Sequence, residues 1–216
     1  ANIGNLLWNW RMLQITKEAK YADILELNLY NSILSGISLD GDKFFYTNPL
    51  AYNTNYPYNL RWSGGRSKYI SKSNCCPPNI IRTIAEVNNY MYSISNDGLY
   101  VNLYSANNLQ TTLKDGNLIT LSQSTNYPWE GQIKFKINKS NKAENLYLRI
   151  PEWCNKYQVI INGKVINAPL EIVKGYLVLK DALIQGTEIA LNLDMPVKLM
   201  ATNPLVESNN NQVAIK

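Results

Sequence analysis

Apolar residues recur at two different periods along this chain, and the change of period divides it near residue 95. Ile3, Leu6, Leu7, Trp10 and Leu13 have the spacing of one helix face. Tyr21, Ile24, Leu25, Leu29 and Ile33 repeat that spacing and predict a second helix, with Thr16 as its cap and Gly36 as its terminator. Leu39-Asp40-Gly41-Asp42 predicts a turn, and Lys43 to Thr47 a short strand. A third helix is expected from Ile80 to Tyr92, with Ile80, Ile84, Val87 and Met91 on one face. Pro77 and Pro78 precede it, and proline suits a helix's first turn, where its missing N–H costs nothing.

After Asn96-Asp97-Gly98 the period becomes two. Leu99, Val101 and Leu103 alternate with Tyr100 and Asn102, and Ile133, Phe135 and Ile137 with Lys134 and Lys136. Leu146, Leu148 and Ile150 alternate with Tyr147 and Arg149. Val159 and Ile161 lead into Asn162-Gly163, a hairpin signal, followed by Val165. Leu177 and Leu179, then Ile189, Leu191 and Leu193, continue the alternation. Successive short, half-buried strands predict an antiparallel β-sandwich. Residues 1–95 therefore read as a helical part and 96–195 as an all-β part. Residues 196–216 read as a linker or the start of a further β segment, with Gln212 to Lys216 as a strand lacking a partner.

Composition limits what such a fold could do. An apolar content of 45% and a charged content of 17% are those of a globular chain. The net charge is +5, without a Lys/Arg cluster beside stacking aromatics, which argues against nucleic acid as a partner. No apolar run approaches the roughly 20 residues of a membrane-spanning helix. Three cysteines, two of them adjacent, do not make a disulfide framework. Asn-, Lys- and Tyr-rich usage suits a bacterial source. Both ends run straight into patterned structure, so the chain is expected to be an internal piece of a longer polypeptide.

The candidate chemistry centres on Asn74-Cys75-Cys76-Pro77-Pro78-Asn79. With no histidine, the chain cannot form a Ser-His-Asp or Cys-His arrangement or an H-E-x-x-H zinc site. Thiolate and carboxylate chemistry remain. A thiol at a helix N-terminus faces the positive end of the helix dipole, which favours thiolate, and Arg66 and Lys72 lie upstream. Adjacent thiolates can both bind one zinc, although a closed site needs about four ligands. Two inert buried thiols or a vicinal disulfide are alternatives.

Five ordered stretches add a resemblance: Leu7–Leu13, Tyr21–Glu26, Leu29–Gly41, Phe44–Leu50 and Cys75–Asn79. Together they resemble the β-L-arabinofuranosidase family, glycoside hydrolase family 127, and the related family 146. The similarity continues less distinctively into the β part, where Arg149-Ile150-Pro151-Glu152-Trp153-Cys154 is the best marker. The resemblance implies an α+β multidomain protein, the C-terminal part of an (α/α)6 catalytic barrel followed by a β-sandwich. It implies a bound Zn2+ held by a Glu and three cysteines, with Cys75 as nucleophile and ligand and Cys76 as a second ligand. Glu26 and Tyr46 match positions that contact the sugar or assist the chemistry.

The implied activity is retaining hydrolysis of β-L-arabinofuranosides of plant-type glycans. A relative of other glycoside specificity, or a non-catalytic zinc- or carbohydrate-binding scaffold, is the alternative. The family's Glu-x-Cys motif and acid/base glutamate would precede Ala1, so a missing N-terminal part of the same polypeptide is the expected partner, and the 216-residue piece alone is expected to be inactive. On residue chemistry alone, Glu26 would lie on a solvated helix face, Tyr46 would pack in a strand, and Trp10 would be core. Trp8 and Trp62 are candidates for sugar stacking, Cys154 for a buried structural thiol, and Tyr52 to Tyr69 for a substrate-selecting rim.

Overall fold

The computed structural model describes residues 2–46, 66–68 and 75–216. Trp62, Lys72 and most of the expected rim from Tyr52 to Tyr69 lie outside the described residues.

Helix α1 (Asn2–Thr16) buries Leu6 and Leu13 and half-buries Ile3, Leu7 and Trp10, the face that the spacing predicts. Thr16 closes α1 rather than capping its successor: its hydroxyl donates to Met12 O (2.9 Å), and Lys17 breaks the helix at φ 57°. Helix α2 (Ala19–Leu27) follows and widens without interruption into a π-helical stretch, Asn28–Ile33, and a 3-10 turn, Leu34–Gly36. The widening rotates the buried set to Ala22, Leu25, Leu29 and Ile33 and leaves Ile24 partly exposed. Phe44 pairs with Ile37 and with Ser67, the one described trace of the expected strand. Helix α3 (Cys76–Ala85) stops at a turn through Glu86 and Val87 before the short α4 (Asn88–Met91). The predicted single helix is therefore broken, and Ile80 and Met91 are buried while Ile84 is not.

The β part begins slightly earlier than its periodicity, at β1 (Tyr92–Ser95), which forms a hairpin with β2 (Gly98–Val101). The remaining strands are β3 (Asn107–Thr112), β4 (Leu118–Thr125), β5 (Gln132–Lys139), β6 (Leu146–Arg149), β7 (Tyr157–Ile161), β8 (Lys164–Val165), β9 (Ile172–Val173), β10 (Tyr176–Leu179) and β11 (Glu188–Leu193). A terminal hairpin, β12 (Leu199–Ala201) with β13 (Val213–Ile215), gives the last strand the partner it was expected to lack.

One sheet has the order β1-β2-β6-β10-β9, and a second β3-β4-β5-β11-β7-β8. Their facing residues form one core, with Leu99, Val101, Leu146, Leu148, Leu177 and Leu179 against Ile119, Leu121, Ile133, Phe135, Ile189 and Leu191. The expectation of a wholly antiparallel arrangement is corrected at one ladder: β2 and β6 run parallel, so the first sheet is mixed.

A second correction concerns burial. β2, β6 and β10 are buried on both faces, although their sequences alternate. Tyr100, Tyr147, Tyr176 and Val178 on the outer face pack against Leu13, Ala19 and Ala22 of α1 and α2. The tyrosine rings supply apolar area that the period-two pattern counts as polar. The result is three layers, helices on a mixed sheet on a second sheet. Among the described residues no helix is long and apolar enough to cross a membrane.

Candidate active site

Helix α3 starts at Cys76, and Cys75 is its N-cap residue. Pro77 and Pro78 occupy the first turn and lack the N–H groups that would otherwise be unpaired there. Asn79 secures the start from inside: its backbone N–H (3.0 Å) and side-chain amide (2.8 Å) both donate to Cys75 O. Arg82 in turn donates to Asn79 Oδ1 (2.7 Å). Cys75 is exposed and Cys76 half-buried, and their sulfurs lie 3.4 Å apart.

That geometry suits a pair of ligands to one metal. Tetrahedral zinc with sulfurs at about 2.3 Å holds two of them about 3.8 Å apart, close to the separation seen here. Among the described residues no group of three or more His, Cys, Asp or Glu side chains comes together. The chain thus presents two sulfur donors side by side, and neither Glu26 nor Cys154 joins them. Cys154 is buried in the β part, its thiol donating to Lys156 O (3.1 Å), and burial raises it above the ordinary thiol range. Tyr46 is 39% exposed, two residues beyond Phe44. Trp10 packs edge-on against Tyr90 as core, while Trp8 is exposed. Arg66 does not pair with the thiols; it stacks over Phe45 and donates to Ser35 O (2.7 Å).

Glu26 is not on a solvated face. Only 6% of it is exposed, and its two carboxylate oxygens accept from Arg149 Nη2 (2.5 Å) and the Tyr127 hydroxyl (3.0 Å). Asp23, one helical turn earlier on the same face, accepts from Arg149 Nη1. The guanidinium is completely buried and also donates through Nε to Asn102 O (2.6 Å). Desolvation opposes its charge, but Glu26 and Asp23 outweigh that and hold it protonated. Burial lifts the Asp23 carboxyl above the usual range against the pull of Arg149. It also pushes the Tyr104, Tyr127 and Tyr176 hydroxyls upward, so they serve as neutral donors. Tyr104 donates to Arg149 O, and Tyr176 to Asn102 Oδ1 (2.7 Å).

Sequence reasoning missed this cluster. The available signal was Arg149 at an outward position of β6 and a pair of acids, Asp23 and Glu26, three residues apart on a helix.

The two-sulfur helix start belongs to a chain built as a three-layer helix–sheet–sheet body, and comparison with known proteins gives the family of that chain. Residues 1–89 match the model for the GH127 catalytic domain of β-L-arabinofuranosidases, and residues 98–195 match that for the GH127 middle domain. The chain belongs to glycoside hydrolase family 127.

A non-reducing-end β-L-arabinofuranosidase of Bifidobacterium longum subsp. longum is 32% identical over the whole chain. Among solved structures, one described as a glycoside hydrolase is 47% identical with a TM-score of 0.92 and 100% of this chain covered. A GH127 β-L-arabinofuranosidase from Geobacillus stearothermophilus T6 is 38% identical with a TM-score of 0.87 over 99% of this chain. The chain spans 33% of the Bifidobacterium relative, and 36% and 34% of the two structures, about a third in each case.

Proposed function

We propose that this chain is part of a retaining glycoside hydrolase acting on β-L-arabinofuranosides of plant-type glycans, with Cys75 as its nucleophile. The observation that carries the reading is the Cys75–Cys76 pair, two sulfurs 3.4 Å apart at a helix start, in a chain of family 127. In the reaction, the Cys75 thiolate attacks the anomeric carbon, and the glycosidic C–O bond breaks as a carboxylic acid gives its proton to the leaving oxygen. Water then attacks the same carbon, giving a proton to that carboxylate, the C–S bond breaks, and Cys75 returns as thiolate. Cys75 and Cys76 would be ligands to zinc, which when bound keeps coordinating thiols deprotonated at neutral pH. Two further ligands and the proton donor belong to the two thirds of a family-length polypeptide that this chain does not span. Helices α1 to α4 would then belong to an (α/α)6 barrel, and the two facing sheets to its β-sandwich neighbour. Tyr46 would assist the chemistry.

In the family-length protein, Cys75→Ser should abolish release of arabinose from a β-L-arabinofuranoside. Retained turnover would sink the nucleophile assignment. The 216-residue chain by itself should release none.

A further inference from the structure

We infer that Arg149, a residue of the β part, is a positioning residue for the cysteine-bearing helix start, so that the β part is a component of the site and not an appended module. The inference rests on the reading of Cys75 and Cys76 as the reactive pair.

The two parts meet chiefly through apolar surfaces. Leu103 of the β part joins the helical cluster of Leu25, Leu29 and Ile33, and the tyrosine face of the first sheet covers Ala19 and Ala22. Apolar burial is non-directional and by itself selects a helix's position less sharply than a hydrogen bond does. A planar guanidinium fork is directional, because each N–H must point at its acceptor. Arg149 spends two arms on Asp23 and Glu26, successive turns of α2, and its Nε on Asn102 O of the sheet side. Tyr127 holds the second oxygen of Glu26 from the β4–β5 turn. Three of these bonds reach α2 and one anchors the guanidinium to the sheet. With Ala19 N–H donating to Lys174 O (2.8 Å) at the start of α2 and Glu152 N–H donating to Asp23 Oδ2 (3.3 Å), they fix the axial position and rotation of the helix.

Helix α2 does not end at this cluster. It runs without a break through the π-helical Asn28–Ile33 stretch to Gly36. Such π segments are rare and recur at functional sites. Gly36 is the seat for both candidate elements. Phe45 N–H donates to Gly36 O (3.0 Å) and so places the segment bearing Tyr46. A Cβ on residue 36 would stand 3.2 Å from Ile80 Cδ1, and Ile80 is one helical turn after Cys76. A shift of α2 along its axis would therefore move the surface against which α3 begins.

The test compares Arg149→Lys and Tyr127→Phe with the unchanged chain by amide exchange and by the rate at which a thiol–disulfide reagent modifies Cys75 and Cys76. Lysine keeps the charge but cannot span both acids; phenylalanine keeps the ring and removes one bond to Glu26. For Arg149→Lys, amides of residues 19–36 should exchange about tenfold faster, the factor that the loss of one charged hydrogen bond produces. The Cys75/Cys76 rate should change by about threefold or more in the native protein, while amides of β4 and β5 stay as they were. Tyr127→Phe should give the same pattern at smaller size, and it decides the matter alone if Arg149→Lys does not fold. A uniform rise across all elements, or unaltered thiol rates beside faster α2 exchange, would overturn the inference. The exchange pattern does not depend on what Cys75 catalyses, so an active Cys75→Ser protein would refute the proposed function and leave this result standing.

Discussion

Arg149 Nη2 and Glu26 Oε1 lie 2.5 Å apart across 123 residues of sequence, joining the last residue of β6 to the penultimate residue of α2. Both side chains are buried, and with Asp23 the cluster has two acids and one base. It is a buried polar contact between the two family domains that the chain contains.

Arg149→Met should destabilise the chain by about 3–5 kcal/mol, because it leaves two carboxylates without their counter-charge in the interior. Replacing all three partners together, Arg149→Met with Asp23→Leu and Glu26→Leu, should cost less than the single change. Denaturant midpoints of the two variants check this. A triple variant less stable than the single one would mean that the cluster is not destabilised chiefly by unpaired charge.

Stability should depend on pH through Asp23. Its carboxyl is raised in the folded chain by burial, so the folded state keeps a proton that the unfolded state has released. A group of that sign adds stability on the acid side and loses it as pH rises from about 4 through the raised value. Asp23→Asn should flatten that part of a stability-versus-pH curve measured by denaturant unfolding. An unchanged slope would place the dependence elsewhere.

Alkylation should separate the three thiols. Cys75 is exposed, whereas Cys154 is buried, hydrogen-bonded to Lys156 O and raised above the ordinary thiol range. Iodoacetamide at neutral pH should modify Cys75 within the native chain and reach Cys154 at a comparable rate only after unfolding. Peptide mass mapping reads the order, and early labelling of Cys154 would contradict its placement.

Gly98→Ala should cost about 2 kcal/mol or more. Gly98 has φ +138°, and a Cβ there would lie 2.2 Å from Asn145 O, the acceptor for Leu99 N–H on the parallel neighbour. Gly116→Ala, at a positive φ but facing open space, should cost less. Thermal unfolding of the pair tests whether the β2–β6 approach is the tight one.

Much of this architecture is legible from local pattern. The α1 face, the Gly36 stop, the Asn162-Gly163 hairpin and the alternation of β5, β6, β10 and β11 all follow from spacing and turn chemistry, because each is decided within a few residues. Strands β3 and β4 are absent from the sequence expectations: Asn107–Thr112 has almost no apolar alternation and takes its register from its neighbour. The cysteine pair at a helix start is equally a local fact, set by Cys-Cys-Pro-Pro and Asn79.

Three things were decided only when distant segments met. Whether Tyr100, Tyr147 and Tyr176 face water or protein depends on α1 and α2 lying over them. The parallel pairing of β2 with β6 depends on a connection that returns from 45 residues away, not on either strand's composition. Glu26 reads as a solvated helix residue until β6 and the Tyr127 turn arrive with a guanidinium and a hydroxyl. Sequence by itself determined the elements and the thiol pair, because propensity, caps and turns act over a few residues. The partners of the buried charges belonged to tertiary structure, because a charge is buried only where a distant opposite charge can meet it.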